Sequence, residues 1–196
     1  MRYVGAILRY ATCLVIGAAA GIAFMAYRVP RIDDAAAILL TGFVAVAVAV
    51  LAAAIAFYAA WDSREVARLR ATLDYLSRSE SDGDLIAANR TFIECTKVDH
   101  GLVKWAEPEH DSGEQAQAIR LILNDFELVA IGIQLGIMDY ELYKRWARSN
   151  VLFYWRKAHP FVARVRERLD RPMLWNEFEQ MARWMDENSP PVRRFR

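Results

Sequence analysis

Two long uncharged segments near the N-terminus constrain this chain more than any other feature of its sequence. The first is the 18 residues from Tyr10 to Tyr27, and the second is the 27 residues from Ala35 to Trp61. A helix that crosses a bilayer needs about 20 predominantly apolar residues. We therefore predict two membrane-spanning helices, at about residues 5–27 and 35–61. The first can begin before Arg9, because a guanidinium can reach the lipid headgroups.

The segment between the two runs, residues 28–34, contains Pro30, which ends the first helix and lets the chain turn back. A cleaved signal peptide is the alternative for the first run, since Arg2 and Arg9 resemble a basic leader. A retained hairpin is favoured, because no small-x-small cleavage site precedes a polar start and a second apolar run follows at once. The lipid bilayer is therefore the first predicted partner.

Charged residues are distributed unevenly along the chain. Residues 1–61 contain four arginines and two aspartates, whereas the whole chain has 25 basic and 24 acidic side chains. This division predicts a transmembrane hairpin at 1–61, a polar helical domain at 62–188 and a basic, flexible tail at 189–196. The net charge of +1 gives no support for nucleic-acid binding, and the chain has too few cysteines for a disulfide-stapled scaffold.

Arginines near the ends of the two spans predict their orientation. Two arginines lie in the turn, and five lie on the outer sides: Arg2, Arg9, Arg64, Arg68 and Arg70. Because translocation of basic residues is disfavoured, both termini are predicted to lie in the cytoplasm. The last three of these arginines would then be able to contact lipid headgroups.

Small residues are frequent within the hairpin. Gly17 and Gly21 form a GxxxG spacing, which lets helix backbones approach closely. Packing of the two spans against each other is the favoured interpretation, and homo-oligomerisation through the same surface is the alternative. Neither span contains an acidic residue or a histidine, which argues against a proton or ion pathway.

Helical periodicity continues beyond the membrane segment. Val66, Leu69, Leu73 and Leu76 form one apolar stripe. Such a stripe either packs on its own domain or begins a coiled coil, and two heptads are too few to decide. A break in the helix is predicted at residues 79–83, where Ser, Asp and Gly cluster.

Five further helical stretches follow, the last two of them on either side of Arg171-Pro172. The first three are predicted over residues 84–105 and 118–138, and then from Asp139, which would cap the third of them. Pro160 is expected to interrupt that helix. No segment alternates with the period of a strand. The predicted fold class is therefore all-α, with an N-terminal two-helix transmembrane hairpin followed by a cytoplasmic helical bundle.

Residues 118–138 are the most hydrophobic part of the polar domain and are predicted to form its central helix. Four polar side chains recur along one face of it, at intervals of four, three and seven residues: Arg120, Asn124, Glu127 and Gln134. Because a buried charge needs a partner, these residues form either a network that fixes helix packing or a recognition or acid/base site on Glu127. The network is favoured. Gly132 and Gly136 would let a neighbouring helix approach closely.

The sequence contains no signature of catalysis, and no cofactor is expected. Cys95 and His100 are five residues apart and form no tight metal-binding pair, so no metal site is predicted. There is no nucleophile motif, P-loop or dinucleotide fingerprint. The basic and aromatic residues of 143–157 are typical of an amphipathic helix, and nucleic acid is not a predicted partner.

Residues 121–146, LILNDFELVAIGIQLGIMDYELYKRW, are followed by aromatic-rich helices and by Trp175-x-x-Phe178. This arrangement resembles the bacterial membrane proteins grouped as domain of unknown function 4760. The resemblance covers about Val66 to Met185, and its most specific part is Leu123-Asn124-x-x-Glu127. It implies a small bacterial membrane protein, usually with N-terminal spans and without an established activity, and it provides no catalytic residue.

The expected function is that of a multi-pass inner-membrane protein whose cytoplasmic helical domain binds other proteins or itself. One alternative is an accessory subunit of a larger membrane complex. Another is a membrane-proximal enzyme that acts on a lipid-linked substrate through Glu127. A cleft beside a solvent-reachable Glu127 favours the enzyme, whereas a sealed pair between Glu127 and an arginine favours the other two.

Overall fold

A computed structural model of the chain describes Gly17, Gly21 and residues 34–187, with side chains from residue 41 onward. Residues 34–187 contain no strand, so the predicted all-α class is confirmed. The five α-helices of this part of the chain are α1 (Asp34–Ser81), α2 (Gly83–Cys95), α3 (Glu114–Gln134), α4 (Tyr140–Leu169) and α5 (Asn176–Glu187). Two short 3-10 helices, Gly101–Ala106 and Pro108–His110, connect α2 to α3.

Helix α1 contains the second predicted span. Its segment Thr41–Ser81 includes an 18-residue stretch of mean hydropathy 2.5, none of which is buried inside the structure. A core helix of similar hydropathy is normally buried. Among the described helices, α1 alone has the length and composition to cross a membrane. The first predicted span, at 5–27, and the tail at 189–196 lie outside the described residues, so the two-helix hairpin stays a prediction.

The chain forms two compact units, residues 1–64 and 65–196. The sequence places this division three residues earlier, after residue 61. In the first unit, the described part of α1 carries exposed apolar side chains, among them Phe43 at 79% and Phe57 at 70% exposure. A long run of exposed apolar side chains is the composition expected of a helix that faces lipid.

The break between α1 and α2 lies where the sequence predicts it. Asp82 caps α2, because its Oδ1 accepts hydrogen bonds from the backbone amides of Asp84 at 3.0 Å and Leu85 at 3.1 Å. Helix α2 then ends at Cys95 and does not continue to residue 105 as predicted. His100 and Gly101 have φ values of +68° and +58°, a left-handed conformation that an α-helix cannot include.

Helix α3 is the centre of the second unit and packs against α2, α4 and α5. Phe126 of α3 stacks on Phe178 of α5 with ring centroids 4.6 Å apart. Full burial of one large apolar side chain contributes about 1.5–3 kcal/mol. Five large apolar residues of α3 are buried in this way, Ile119, Ile122, Leu123, Phe126 and Val129, together with three alanines, Ala116, Ala118 and Ala130.

Helix α4 runs without interruption through Pro160, so the prediction that this proline breaks the helix is wrong. Pro160 lies on the exposed side, while Ala158, Phe161 and Val162 of the same turns are buried. A proline in a helix interior costs about 3 kcal/mol or more. Burial of the opposite face offsets that cost, and this contribution is not visible in the local sequence.

Asp139 joins the start of α4 to α1. As predicted, it caps α4, with Oδ1 accepting a hydrogen bond from the Leu142 amide at 2.8 Å. Its own amide donates to Oγ1 of the fully buried Thr72 at 2.7 Å, and its Oδ2 pairs with Arg68 at 3.0 Å. The turn between α3 and α4 is therefore fixed against the C-terminal part of α1.

The apolar stripe on that part of α1 is divided by the fold. Leu76 is buried in the core of the second unit, whereas Leu69 and Leu73 are 37% and 53% exposed. One end of the stripe thus packs on its own domain, as one interpretation expects. The exposed leucines leave the coiled-coil alternative open.

Candidate functional site

Each of the four polar residues on α3 has its own partner. Arg120, at the N-terminal end, contacts Asp111 in the loop before α3, and its Nη1 also donates to the Asp111 carbonyl oxygen at 2.9 Å. Arg168 of α4 donates to both carboxylate oxygens of Asp111 at 2.7 Å. The loop is thereby held between α3 and α4.

Charge around Asp111 determines its protonation. The hydrogen bonds from Arg168 and Arg120 lower the pKa of Asp111 below its usual range, although burial opposes them. Glu107, which pairs with Arg164 at 2.8 Å, has its pKa lowered chiefly by the hydrogen bond from that arginine. Carboxylates held ionised in this way act as ion-pair partners and are poor proton donors.

Asn124 and Glu127 hold the beginning of α5. Asn124 Oδ1 accepts a hydrogen bond from Trp175 Nε1 at 2.8 Å, and Trp175 has a φ of +57° immediately before the helix. Glu127 Oε2 accepts from the Phe178 amide at 2.7 Å, and Oε1 accepts from the Glu177 amide at 3.3 Å. First-turn amides of a helix have no partner within it and carry partial positive charge, so a carboxylate is a favourable acceptor there.

Gln134 completes this face, since its Nε2 donates to the Glu177 carboxylate of α5. Three of these side chains of α3 therefore lie at the start of α5, beside residues 175–178. The fourth, Arg120, lies at the loop that precedes α3. Glu127 is paired with backbone amides and not with an arginine, a partner that the sequence reasoning missed. The α5 amides carry no residue-type signal, so no sequence pattern could have identified them.

Gly132 of α3 and Gly136, two residues after the helix, act at its C-terminal end. A Cβ at Gly132 would lie 3.1 Å from Sδ of Met138, which follows the turn. Gly136 has a φ of +68°, and the amides of Ile137 and Met138 donate to the Gly132 carbonyl at 2.9 and 3.0 Å. These glycines therefore terminate α3 and accommodate the turn, whereas the sequence reasoning assigned them to contact with a neighbouring helix.

The remaining predicted site residues lie in or near the N-terminal unit. Gly17 and Gly21 have helical backbone, and no described atom lies within 4 Å of a Cβ built on either one. Arg68 pairs with Glu65 at 2.8 Å as well as with Asp139, so its guanidinium is already engaged. Arg64 and Arg70 are exposed. Contact of these three arginines with headgroups stays a prediction.

An exposed apolar surface lies beside the polar face of α3. Its members are Leu121, Leu128, Ile131, Leu135 and Ile137, here called the leucine face, with exposures of 40, 67, 37, 69 and 56%. Three of them recur every seven residues and therefore share one side of the helix. The sequence analysis predicted α3 as the central helix of the domain and did not identify this surface. The seven-residue spacing is the signal that could have revealed it.

The leucine face has the composition of an interface. The two charged residues within its span, Asp125 and Glu127, are occupied by hydrogen bonds to Tyr75 and to the α5 amides. Depletion of charge and exposed apolar area are typical of the core of a protein-binding surface. Within the described part of the chain, no group of three or more His, Cys, Asp or Glu residues is placed to hold a metal ion.

Comparison with known proteins places this fold in a family. A search of curated proteins and a search of solved structures gave no match. A family described as "Domain of unknown function (DUF4760)" matches residues 45–184, which is more than half of the chain. The match starts inside α1, earlier than the Val66 boundary drawn from the sequence, so the family pattern includes most of the apolar part of α1. This chain therefore belongs to the family of domain of unknown function 4760.

Proposed function

We propose that this chain is a membrane-anchored helical protein that acts by binding another protein, or a second copy of itself, through the leucine face. One observation carries the proposal. Leu128 of α3, the helix at the centre of the second unit, and Leu135, the residue that follows this helix, are 67% and 69% exposed. Exposure of large apolar side chains costs free energy in water, and it is typical of surfaces that are covered by a partner.

The anchor supports the same role. The exposed apolar part of α1 has the composition of a membrane span, and the first predicted span, at about residues 5–27, would make the protein multi-pass with both termini in the cytoplasm of a bacterium. A domain confined to the inner membrane meets other membrane proteins at high effective concentration. A moderate apolar surface is then sufficient for a functional contact.

An accessory subunit of a larger membrane complex is the second candidate, because such a subunit would use the same surface. The enzyme alternative receives less support. Glu127 accepts two backbone hydrogen bonds at the start of α5, so this carboxylate has a structural task. A general acid or base needs instead to reach the proton of a substrate.

Native mass spectrometry of the full chain, extracted from membranes under mild conditions, tests the proposal. The variants are Leu128→Glu and Leu135→Glu, with Met173→Glu as the matched control, since Met173 is also 67% exposed but precedes α5. We expect wild type and the control to form a discrete assembly. Loss of a central apolar contact costs about 2 kcal/mol or more, so the two leucine variants should bind at least tenfold more weakly.

The composition of the assembly distinguishes the candidates. A homo-oligomer supports self-association, and a stoichiometric foreign chain supports the accessory subunit. A wild-type chain that is monomeric under these conditions contradicts the proposal. An assembly that both leucine variants retain would show that another surface makes the contact.

A further inference from the structure

A separate open cavity lies within the second unit, between the C-terminal part of α1 and helices α2, α3 and α4. Its volume is about 250 Å³. Six of the residues that line it matter for its chemistry: Tyr75, Glu80, Asp125, Tyr143, Trp146 and Tyr154. The volume is just below the roughly 300–1,000 Å³ of sites for drug-sized ligands, so the cavity suits a molecule of few heavy atoms.

Asp125 places a partly buried carboxylate in this cavity. Its Oδ2 accepts a hydrogen bond of 2.6 Å from Tyr75 Oη. No ion pair joins Asp125 to a lysine or arginine among residues 41–187. Burial raises the pKa of Asp125, and the nearby charge of Asp82 adds to this, while the Tyr75 hydrogen bond opposes it. The carboxylate therefore lacks the counter-charge that a buried anion needs.

Aromatic rings form much of the remaining wall. Tyr75 and Tyr143 have ring centroids 6.2 Å apart, and Tyr154 lies beside Phe126 at 5.1 Å. Trp146 lines the opening and is 45% exposed. Aromatic faces attract cations through their quadrupoles, and the attraction increases when the cation is desolvated.

The charges of the lining select the sign of the ligand. Glu80 is a second acidic residue in the lining, and no lysine or arginine contributes to it. We propose that this cavity binds a small organic cation, with its ammonium group at the Asp125 carboxylate and against the rings of Tyr75, Tyr143 and Trp146. A phospholipid headgroup would bring a phosphate that has no basic partner here, so a free cation is the ligand that the lining fits. This inference does not depend on the proposed function.

Choline is the probe for this site, and 3,3-dimethyl-1-butanol, which has the same shape without the charge, is its control ligand. Isothermal titration of the full chain in neutral detergent micelles should show binding of choline and at least about tenfold weaker binding of the alcohol. Asp125→Asn should weaken choline binding about ten- to hundredfold, because the attraction between the carboxylate and the quaternary ammonium, which has no N–H to donate, is lost. Asp74→Asn removes an exposed carboxylate of α1 that does not line the cavity and should change nothing.

Three results would overturn the proposal: no choline binding to the folded wild type, equal binding of the alcohol, or unchanged binding in Asp125→Asn. If circular dichroism shows that this variant does not fold, Trp146→Ala decides, since its exposed ring can be removed with little effect on the core. It should weaken choline binding about threefold or more, and unchanged binding would overturn the proposal. Phosphocholine should bind more weakly than choline. Tighter binding of phosphocholine than of choline would overturn the free cation as the ligand and indicate a lipid headgroup.

Discussion

The start of α5 depends on single side chains that belong to another helix. Phe178 is fully buried, and its amide donates to Glu127 at 2.7 Å. A buried amide without an acceptor retains its desolvation cost. Glu127 is therefore a stability determinant of this domain, and its effect is exerted 51 residues away along the chain.

Substitution of Glu127 tests this role. We expect Glu127→Ala to lower the free energy of unfolding by about 1–3 kcal/mol, because the Phe178 amide loses its acceptor. Glu127→Gln should cost less, since its amide oxygen still accepts a hydrogen bond. Thermal unfolding in detergent measures the stability of both variants. The control is Glu94→Ala, at an exposed position of α2, whose stability should stay within about 0.5 kcal/mol of wild type. A Glu127→Ala variant as stable as the Glu94→Ala control would contradict the assignment.

Helices α4 and α5 are joined by a carboxylate that two arginines share. Glu179 is buried and pairs with Arg166 of α4 at 2.7 Å, where the two side chains are 11% and 19% exposed. Its second partner, Arg183, has a side chain that is 69% exposed. Arg166 also donates from Nε to the Leu174 carbonyl at 2.8 Å, which fixes the segment before α5. Glu179 therefore forms one ion pair that is largely buried, with Arg166, and one that is exposed, with Arg183.

That difference predicts unequal effects of the two arginines. Arg166→Met should destabilise the domain by about 3 kcal/mol, because it leaves a buried carboxylate with only an exposed partner. Arg183→Met should cost no more than about 1 kcal/mol, as is usual for exposed pairs. Unfolding at pH 7 compares them directly. Equal losses of stability in the two variants would show that burial of an ion pair does not determine its contribution here.

The same pair has a pH dependence with a defined sign. Burial raises the pKa of Glu179, but the hydrogen bond and charge of Arg166 outweigh it, together with Arg183, so the net pKa is lowered. A lowered carboxyl pKa contributes stability above the unfolded-state pKa of about 4.3, and this is lost as the pH falls through the folded-state value. The difference between wild type and Arg166→Met should therefore shrink below about pH 4.

At the scale of the whole molecule, the predicted membrane topology can be tested directly. We expect a retained two-span hairpin that keeps residues 65–196 in the cytoplasm. Alkaline phosphatase fused after Asp33, between the predicted spans, should be active, whereas phosphatase fused after Arg196 should be inactive. Active phosphatase after Arg196 would contradict this topology, because it would place residues 65–196 outside the cytoplasm, as in a chain with a single span. The intact mass of the protein excludes or reveals cleavage of the first span.

Several features of this protein follow from local sequence. The uncharged run after Asp34 determines that α1 is long and apolar, because helix formation and hydropathy depend on neighbouring residues. Asp82 and Asp139 cap helices as their type predicts, since a cap bonds amides two or three residues away. The spacing from Arg120 to Gln134 places four polar side chains on one face, because helical geometry fixes their angles.

The tertiary structure decided which side of each helix is covered. Leu123 is buried and Leu128 is 67% exposed, although both are leucines of the same helix. Pro160 remains inside α4 because burial of neighbouring residues offsets its cost, and Glu127 bonds amides that are not marked by any residue type. Helical periodicity determines the directions in which the side chains of one helix point. Which element each side chain contacts depends on packing between segments that are distant in the sequence. The sequence therefore determined the helices and the polar face of α3, and packing alone decided their partners and the leucine face that remained uncovered.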